Sequence, residues 1–324
     1  MDIYVKKAII HQFSPDDTDL YLADKFLNIT PKIEEYLRKK IERVYSDEAR
    51  TGIFEEDNPF LEMISDDLLE TSVVVANRWK EEFVVSENQK TNDLVFIQFS
   101  KEGVDNFAFL RIALRETLTH LGGEVDNPIK LTQNNLPGFG TGADEALVIN
   151  LQSRKYHLIE KRIKYNGTFL NYFSENLLQA QPKISPKKSI KALEKTAQKI
   201  AESFNTDDFQ FQSKVKSAIF NHIEEENKLS PEKLANDLFD DNLTARLSFI
   251  DQVKEAVPEP VTFEEIDASR QLKKFENQKL SLSNGIELIV PNNVYEDAES
   301  VEFILNENGT YSILIKNIED IQSK

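Results

Sequence analysis

The segment DLVFIQFSKEGVDNFAFLRIALRETL, residues 93–118, contains two apolar runs joined by a short polar turn. Residues 93–100 and 106–118 are rich in aromatic and aliphatic side chains, and Gly103 lies within the intervening KEGVD. Runs of this kind on either side of a glycine turn are typical of two strands that pair in an antiparallel sense. The segment therefore predicts that the first half of the chain is built on a mainly antiparallel sheet.

Helices and further strands are predicted on both sides of this pair. Thr30 and Pro31 are a cap and a first-turn residue for a helix over 31–46. Other helices are predicted at 58–86, in two pieces, and at 168–178, where Phe169, Phe173 and Leu177 recur at helical spacing. Further strands are predicted at 2–13, 19–29, 146–153 and 155–163, with a loop at Pro15-Asp16-Asp17.

The second half of the chain begins with helical patterns and ends with strand patterns. PKIS at 182–185 interrupts the pattern, which predicts domains over 1–181 and 182–324. Helices are predicted at 186–204, 208–226, 231–239 and 243–256, and strands at 272–282, 285–290, 301–306 and 310–316. The predicted class is α+β: a mixed, mainly antiparallel N-terminal sheet with helices, then a helical domain that ends in a small antiparallel sheet.

Composition excludes several classes of protein. The 324 residues are 40% hydrophobic, which excludes a disordered chain, and the absence of cysteine excludes disulfides and thiolate metal sites. The sequence has no apolar run near the ~18 residues of a membrane helix, and its first residues do not resemble a signal peptide. We therefore expect a cytoplasmic protein, without cofactor or membrane partner.

The formal net charge of -17 is unevenly distributed along the chain. Residues 151–200 contain eleven lysines and arginines against three aspartates and glutamates. A uniformly acidic surface repels nucleic acid, whereas one basic segment in an acidic body holds an anionic partner in one orientation.

Within this segment, SPKKSIKALEKTAQKIAESF (185–204) predicts an amphipathic helix with a lysine face. Lys188, Lys191, Lys195 and Lys199 recur at three- and four-residue steps, over roughly 16 Å of helix. Duplex DNA carries one charge per ~1.7 Å of its axis, so several phosphates fall within that length. Additional basic candidates lie upstream, with aromatic residues Tyr156, Tyr165, Phe169 and Tyr172 between them: Arg154, Lys155, Lys161, Arg162 and Lys164. The alternative interpretation is a helix face that is lysine-rich only because water covers it.

Three segments resemble a known family. They are IHQF (10–13), RVYSDEARTGIFEED (43–57) and HLIEKRIKYNGTFLNYFSENLL (157–178), and VTFEEI (261–266) also fits. Together they resemble the bacterial nucleoid-associated proteins of the NdpA-like type. The resemblance implies association with the nucleoid, through DNA or through DNA-handling proteins, and it implies no enzymatic reaction.

Other motifs in the chain favour no chemistry. LPGFGTGADEAL (136–147) is rich in glycine, but a strand pattern follows it instead of the helix that a phosphate loop needs. Residues 231–256 have helix-turn-helix spacing, yet Arg246 and Lys254 are balanced by Asp251 and Glu255. The four histidines are too far apart in sequence for a metal pair on one helical turn.

Three functions remain open on the sequence. The first is a nucleoid-associated protein that binds duplex DNA without marked sequence preference, and the second is an acidic adaptor that docks onto DNA-handling proteins. The third is a metal-dependent nuclease or nucleotide enzyme, which requires carboxylates clustered in space. A homodimer is expected only because two-fold symmetry is the commonest arrangement.

Overall fold

A computed structural model of the protein describes residues 1–16, 18–83, 90–120, 129–206, 208–263 and 265–322. Contacts within the chain divide it into two compact units, Met1–Ser185 and Pro186–Lys324. The domains 1–181 and 182–324 stay a prediction.

Unit 1 contains the large sheet. Its strands are β1 (Ile3–Ser14), β2 (Asp19–Tyr21), β3 (Arg50–Ile53), β4 (Asn92–Lys101), β5 (Val104–Ala113), β6 (Arg115–His120), β7 (Ile129–Asn135), β8 (Glu145–Asn150), β9 (Lys155–Ile159), β10 (Ile163–Tyr165) and β11 (Thr168–Leu170). Seven of them form one sheet in the order β2-β1-β4-β5-β8-β9-β3, in which every neighbouring pair is antiparallel. β6 pairs with β7, and β10 with β11, in two separate hairpins.

The helices of unit 1 cover both faces of this sheet. They are α1 (Pro31–Glu42), α2 (Pro59–Glu62), α3 (Leu68–Phe83) and a π-helix (Phe173–Leu177). On one face, the stacked rings of Phe96 and Phe109, 4.8 Å apart, belong to a core that includes Trp79 of α3. On the other face, Leu110 packs in a core with Ile41 of α1. The strand pair β4–β5 is therefore buried on both sides, which explains why its sequence is almost continuously apolar.

A buried polar network joins the sheet to α3 and the π-helix. Arg111 Nε donates to Glu145 Oε2 at 2.6 Å, and Arg111 Nη1 donates to Asn92 Oδ1 at 2.9 Å. The Tyr172 hydroxyl donates to the same Glu145 oxygen, and Trp79 Nε1 donates to the Tyr172 oxygen at 3.0 Å. Burial, followed by the charge of Glu145, raises the pKa of Tyr172 well above its ordinary value, so this hydroxyl stays a donor.

Unit 2 is helical and carries small hairpins. Its helices are α4 (Pro186–Ser203), α5 (Phe209–Glu226), α6 (Pro231–Leu238), α7 (Leu243–Ala256), α8 (Ser269–Phe275) and α9 (Asn292–Tyr295). Its strands are β12 (Lys228–Leu229), β13 (Val261–Thr262), β14 (Asn277–Ser281), β15 (Glu287–Pro291), β16 (Val301–Leu305) and β17 (Tyr311–Ile315). Neighbouring strands pair in three antiparallel hairpins or ladders. The predicted α+β class, with a mainly antiparallel N-terminal sheet and small antiparallel sheets near the C-terminus, is confirmed.

Helix starts follow the local signals in the sequence. The Ile33 amide donates to Thr30 Oγ1 at 3.5 Å, and the Lys233 amide donates to Ser230 Oγ at 3.4 Å. Asn308-Gly309 forms the turn of the β16–β17 hairpin, where Gly309 has a φ of 77°. Such caps and turns depend on a few adjacent residues, which is why they are readable from sequence.

The helix predicted over 168–178 is wrong for its first part. Thr168–Leu170 form strand β11, and the helical turn that follows, Phe173–Leu177, is a π-helix. The reason is the turn before it, where Asn166 and Gly167 take φ values of 47° and 78°. Two consecutive residues with positive φ close a two-residue hairpin and return the chain as a strand.

Other predictions differ at element ends. The strand predicted over 272–282 begins inside α8, because Gln271 and Phe275 lie one helical turn apart and are both buried. The strand predicted over 19–29 extends only over Asp19–Tyr21, and that over 106–118 is divided between β5 and β6. The predicted helix end at 84–86 and the loop residue Asp17 lie outside the described residues.

Candidate nucleic-acid interface

Helix α4 has one buried apolar face and one exposed lysine face. Ile190, Leu193, Ala197 and Ile200 recur at three- and four-residue steps and are buried in the core of unit 2. They pack against α5 and α7, which fixes the rotation of the helix about its axis. The opposite side of α4 is therefore directed away from the core.

The four predicted lysines, Lys188, Lys191, Lys195 and Lys199, lie on this exposed side, and we call them the lysine stripe. Lys188, Lys191 and Lys195 make no hydrogen bond or ion pair with any residue that the structure describes. Lys199 donates to the neutral Gln252 Oε1 of α7 at 3.0 Å. No carboxylate among the described residues therefore neutralises the stripe by direct contact.

Two glutamates of α4 lie near the stripe. Glu194, on its flank, lies 3.7 Å from Lys274 Nζ of α8. Glu202 is exposed at the C-terminal end of the stripe and accepts a hydrogen bond from Gln198 at 3.3 Å. Of the four stripe lysines, Lys199 is the nearest in sequence to Glu202.

The upstream basic residues form two groups in unit 1. Arg154 and Lys155 are at the turn where β9 begins, and Arg154 Nη1 lies 3.7 Å from Glu56 Oε2. Lys161, Arg162 and Lys164 follow the other end of β9. At ~3.3 Å per residue, the five residues of β9 span roughly 16 Å between the two groups. The structure thus does not bring the five predicted residues together.

One member of the second group is already paired. Lys161 Nζ lies 2.6 Å from Asp144 Oδ1. Burial acts to raise the pKa of Asp144, but hydrogen bonds from Lys161 and from the Ala113 amide outweigh it, and the pKa is lowered. Asp144 is therefore a charged partner for Lys161, whereas Arg162 donates to the neutral Asn171 Oδ1 at 3.3 Å.

The four aromatic residues of the segment divide into buried and exposed pairs. Tyr156 and Tyr172 are buried in the core of unit 1. Tyr165 and Phe169 lie on the β10–β11 hairpin, where the Phe169 side chain is 61% exposed. The predicted helix over 168–178 grouped Phe169 with Phe173 and Leu177, whereas Phe169 lies on strand β11. The dipeptide Asn-Gly at 166–167, between two short apolar runs, was the signal that could have revealed the hairpin.

The glycine-rich loop 136–147 has carbonyl groups, not amides, at its centre. The buried Lys40 ammonium donates to the carbonyl oxygens of Gly138, at 2.9 Å, and Thr141. Tyr36 donates to the Pro137 carbonyl at 3.0 Å. A phosphate loop instead needs converging amide donors, so this loop is organised around a lysine of its own chain.

Lys40 gives the stability of the protein a specific pH dependence. Burial, and then Arg43 and Arg115, lower the pKa of Lys40 from 10.5 to about 8. Between these two values the unfolded chain binds a proton that the folded protein does not, so the contribution of Lys40 to stability rises with pH. We therefore expect the difference in unfolding free energy between the wild type and Lys40→Met to increase in favour of the wild type as the pH rises through this window. The increase should be at most about 1.4 kcal/mol per pH unit.

Urea unfolding at a series of pH values measures this difference. Lys32→Met removes an exposed charge from the same helix without contacting the loop, and it is the matched control. A wild-type advantage over Lys40→Met that stays constant or falls with rising pH would contradict the expected effect.

The helix-turn-helix interpretation of 231–256 finds no support in the position of its arginine. Arg246 Nη2 donates to the carbonyl oxygens of Phe239 and Asp240, at 3.2 and 2.7 Å. Its guanidinium therefore satisfies carbonyls that follow α6.

Within the described residues, no group of three or more histidines, aspartates and glutamates is placed to hold a metal ion. In the same part of the chain, no helix has the length and apolar character to cross a membrane.

Comparison with known proteins agrees with the resemblance seen in the sequence. A search of curated proteins returns no match. A family model described as nucleoid-associated protein YejK matches residues 9–321, which is nearly the whole chain and includes both units. The chain therefore belongs to the nucleoid-associated protein YejK family.

Proposed function

We propose that this protein binds duplex DNA, largely without sequence preference, through the lysine stripe of α4. The family is nucleoid-associated, which makes the chromosome the relevant polyanion. Ammonium groups contact phosphates as point charges, and phosphates carry no direct sequence information. The proposed role is accordingly to organise DNA in the nucleoid.

The observation that carries this proposal is the concentration of unneutralised positive charge on a single helix face. Lys188, Lys191 and Lys195 are exposed without a partner among the described residues, on a chain whose formal net charge is -17. The acidic remainder repels DNA and thereby orients the molecule so that the stripe meets it. Lysines that served only to solvate a helix would more often be interspersed with acidic residues.

Salt dependence provides a quantitative prediction for the stripe. If its four lysines neutralise four phosphates, the logarithm of the binding constant falls against the logarithm of salt concentration with a slope of about -3.6. Lys195→Gln should reduce the magnitude of this slope by about 0.9. Fluorescence anisotropy of a labelled duplex at several salt concentrations measures both slopes. A slope near zero, or one that Lys195→Gln leaves unchanged, would refute phosphate contact by the stripe.

A second candidate function is favoured by the C-terminal hairpin β16–β17. Leu305 and Tyr311 are opposite each other and are 63% and 53% exposed. Glu302 of the hairpin is paired with Lys316, 2.6 Å away, so the exposed acidic residue beside this apolar pair is Glu307 of the turn. This combination suits a basic DNA-handling protein, as the adaptor hypothesis requires. Capture of such a protein from nuclease-treated lysate by the wild type, and not by Leu305→Asp, would favour that function.

Localisation and assembly follow from the proposed function as expectations. A fluorescent fusion of the whole chain should coincide with the nucleoid in the cytoplasm. A homodimer would double the number of lysine stripes available to one DNA molecule. The mass of the purified protein in solution tests that expectation directly.

A further inference from the structure

The β10–β11 hairpin in unit 1 has an inner and an outer face. Ile163 is buried and Leu170 packs against the core, so the face that contains them is directed inward. Side chains alternate along a strand, so Lys164 and its cross-strand partner Phe169 project from the outer face. Both are exposed, and Arg162 is exposed beside them.

Two features anchor this outer face. Its turn contains two consecutive residues with positive φ, the backbone geometry of a tight two-residue hairpin. Three residues after Phe169, Tyr172 is anchored in the buried network with Glu145 and Trp79. An exposed phenyl ring on such a support is preorganised for a ligand, since little conformational entropy is lost on binding.

The chemistry of the outer face fits an unpaired nucleobase. The ring of Phe169 offers a flat apolar surface opposite the cationic Lys164, and Arg162 lies two residues before Lys164 in the same chain segment. A single strand presents bases with free π-faces and phosphates beside them, and base stacking on an aromatic side chain tolerates any sequence. In a duplex those π-faces are already stacked, and opening one step costs a few kcal/mol.

We propose that the outer face of the β10–β11 hairpin binds single-stranded nucleic acid, with Phe169 stacked on an unpaired base and Arg162 and Lys164 near its phosphates. The inference extends the proposed function to a second site, because the lysine stripe belongs to unit 2 and the hairpin to unit 1. Glu175 acts against this binding, because its negative charge lies near the basic residues. Its carboxylate accepts a hydrogen bond from Asn171 at 3.1 Å, and Asn171 contacts Arg162.

Fluorescence anisotropy with a labelled oligothymidine and with a duplex of equal length tests this inference. Phe169→Ala should weaken binding of the single strand by about 5- to 100-fold and change duplex binding by less than about twofold. Phe169→Leu is the matched control, because leucine keeps the apolar bulk but cannot stack, and it should behave like Phe169→Ala. Phe169→Tyr should retain the affinity, and Glu175→Gln should tighten single-strand binding.

The outcomes separate this inference from the proposed function. Equal single-strand affinity of the wild type, Phe169→Ala and Phe169→Leu would overturn the inference, even if duplex binding follows the lysine stripe. The same result, equal single-strand affinities of all three proteins, is expected if this face binds a protein instead of nucleic acid. The Trp79 fluorescence of Phe169→Ala should match that of the wild type, which shows that the variant is folded. If this folded variant no longer binds the single strand, the result supports the inference whether or not the stripe binds DNA.

Discussion

Replacing the four stripe lysines, Lys188, Lys191, Lys195 and Lys199, together by glutamate should weaken duplex DNA binding on the order of 100-fold or more. Each exposed charge contact contributes up to about 1 kcal/mol, and a tenfold change in affinity corresponds to about 1.4 kcal/mol. Glutamate also repels the phosphates that lysine attracted, which adds to the loss. Anisotropy titrations of a labelled duplex at moderate salt measure the change.

The control for this variant changes the same total charge elsewhere in unit 2. Lys228, Lys254, Lys273 and Lys279 are exposed on separate elements, and replacing all four by glutamate makes the chain equally more acidic. If contact with the stripe matters, the control should retain most of the affinity. Equal losses of duplex affinity in the two variants would show that only the net charge of the protein matters. Such a result would contradict DNA binding by the lysine stripe.

Replacing Glu145 by alanine should destabilise unit 1 by about 3–5 kcal/mol. The substitution leaves the Arg111 guanidinium buried without its carboxylate and the Tyr172 hydroxyl without its acceptor. An unpaired charge in a protein interior is more costly than the loss of a good contact, because water cannot solvate it. The effect should exceed that of any surface charge substitution in this protein.

Trp79 makes the measurement selective for unit 1. It is the single tryptophan of the chain, and its indole donates to Tyr172 inside the network. Its fluorescence in a denaturant titration therefore follows the unfolding of the part that Glu145 stabilises. Asp105→Ala breaks the exposed pair with Lys6 and should cost no more than about 1 kcal/mol. Similar midpoints for Glu145→Ala and Asp105→Ala would show that the network has little effect on stability.

The local elements of this protein were determined by short stretches of sequence. The cap Thr30 and the antiparallel pairing of the apolar runs within 93–118 were predicted and are observed, the pairing over Asn92–Ala113. The amphipathic spacing of α4 also predicted which side of that helix is buried, and hence that the lysine stripe is exposed. Each of these features depends on residues within about one or two helical turns of one another.

Only the tertiary structure decided which distant side chains meet. Arg111 and Glu145 are 34 residues apart, and Lys40 and Thr141 are 101 apart, so no local spacing links them. The same limit applies to Phe169, whose exposure depends on how Ile163 and Leu170 pack against the core of unit 1. Sequence periodicity specifies the face of an element, whereas burial and pairing of charges are set by the elements that the fold packs against it.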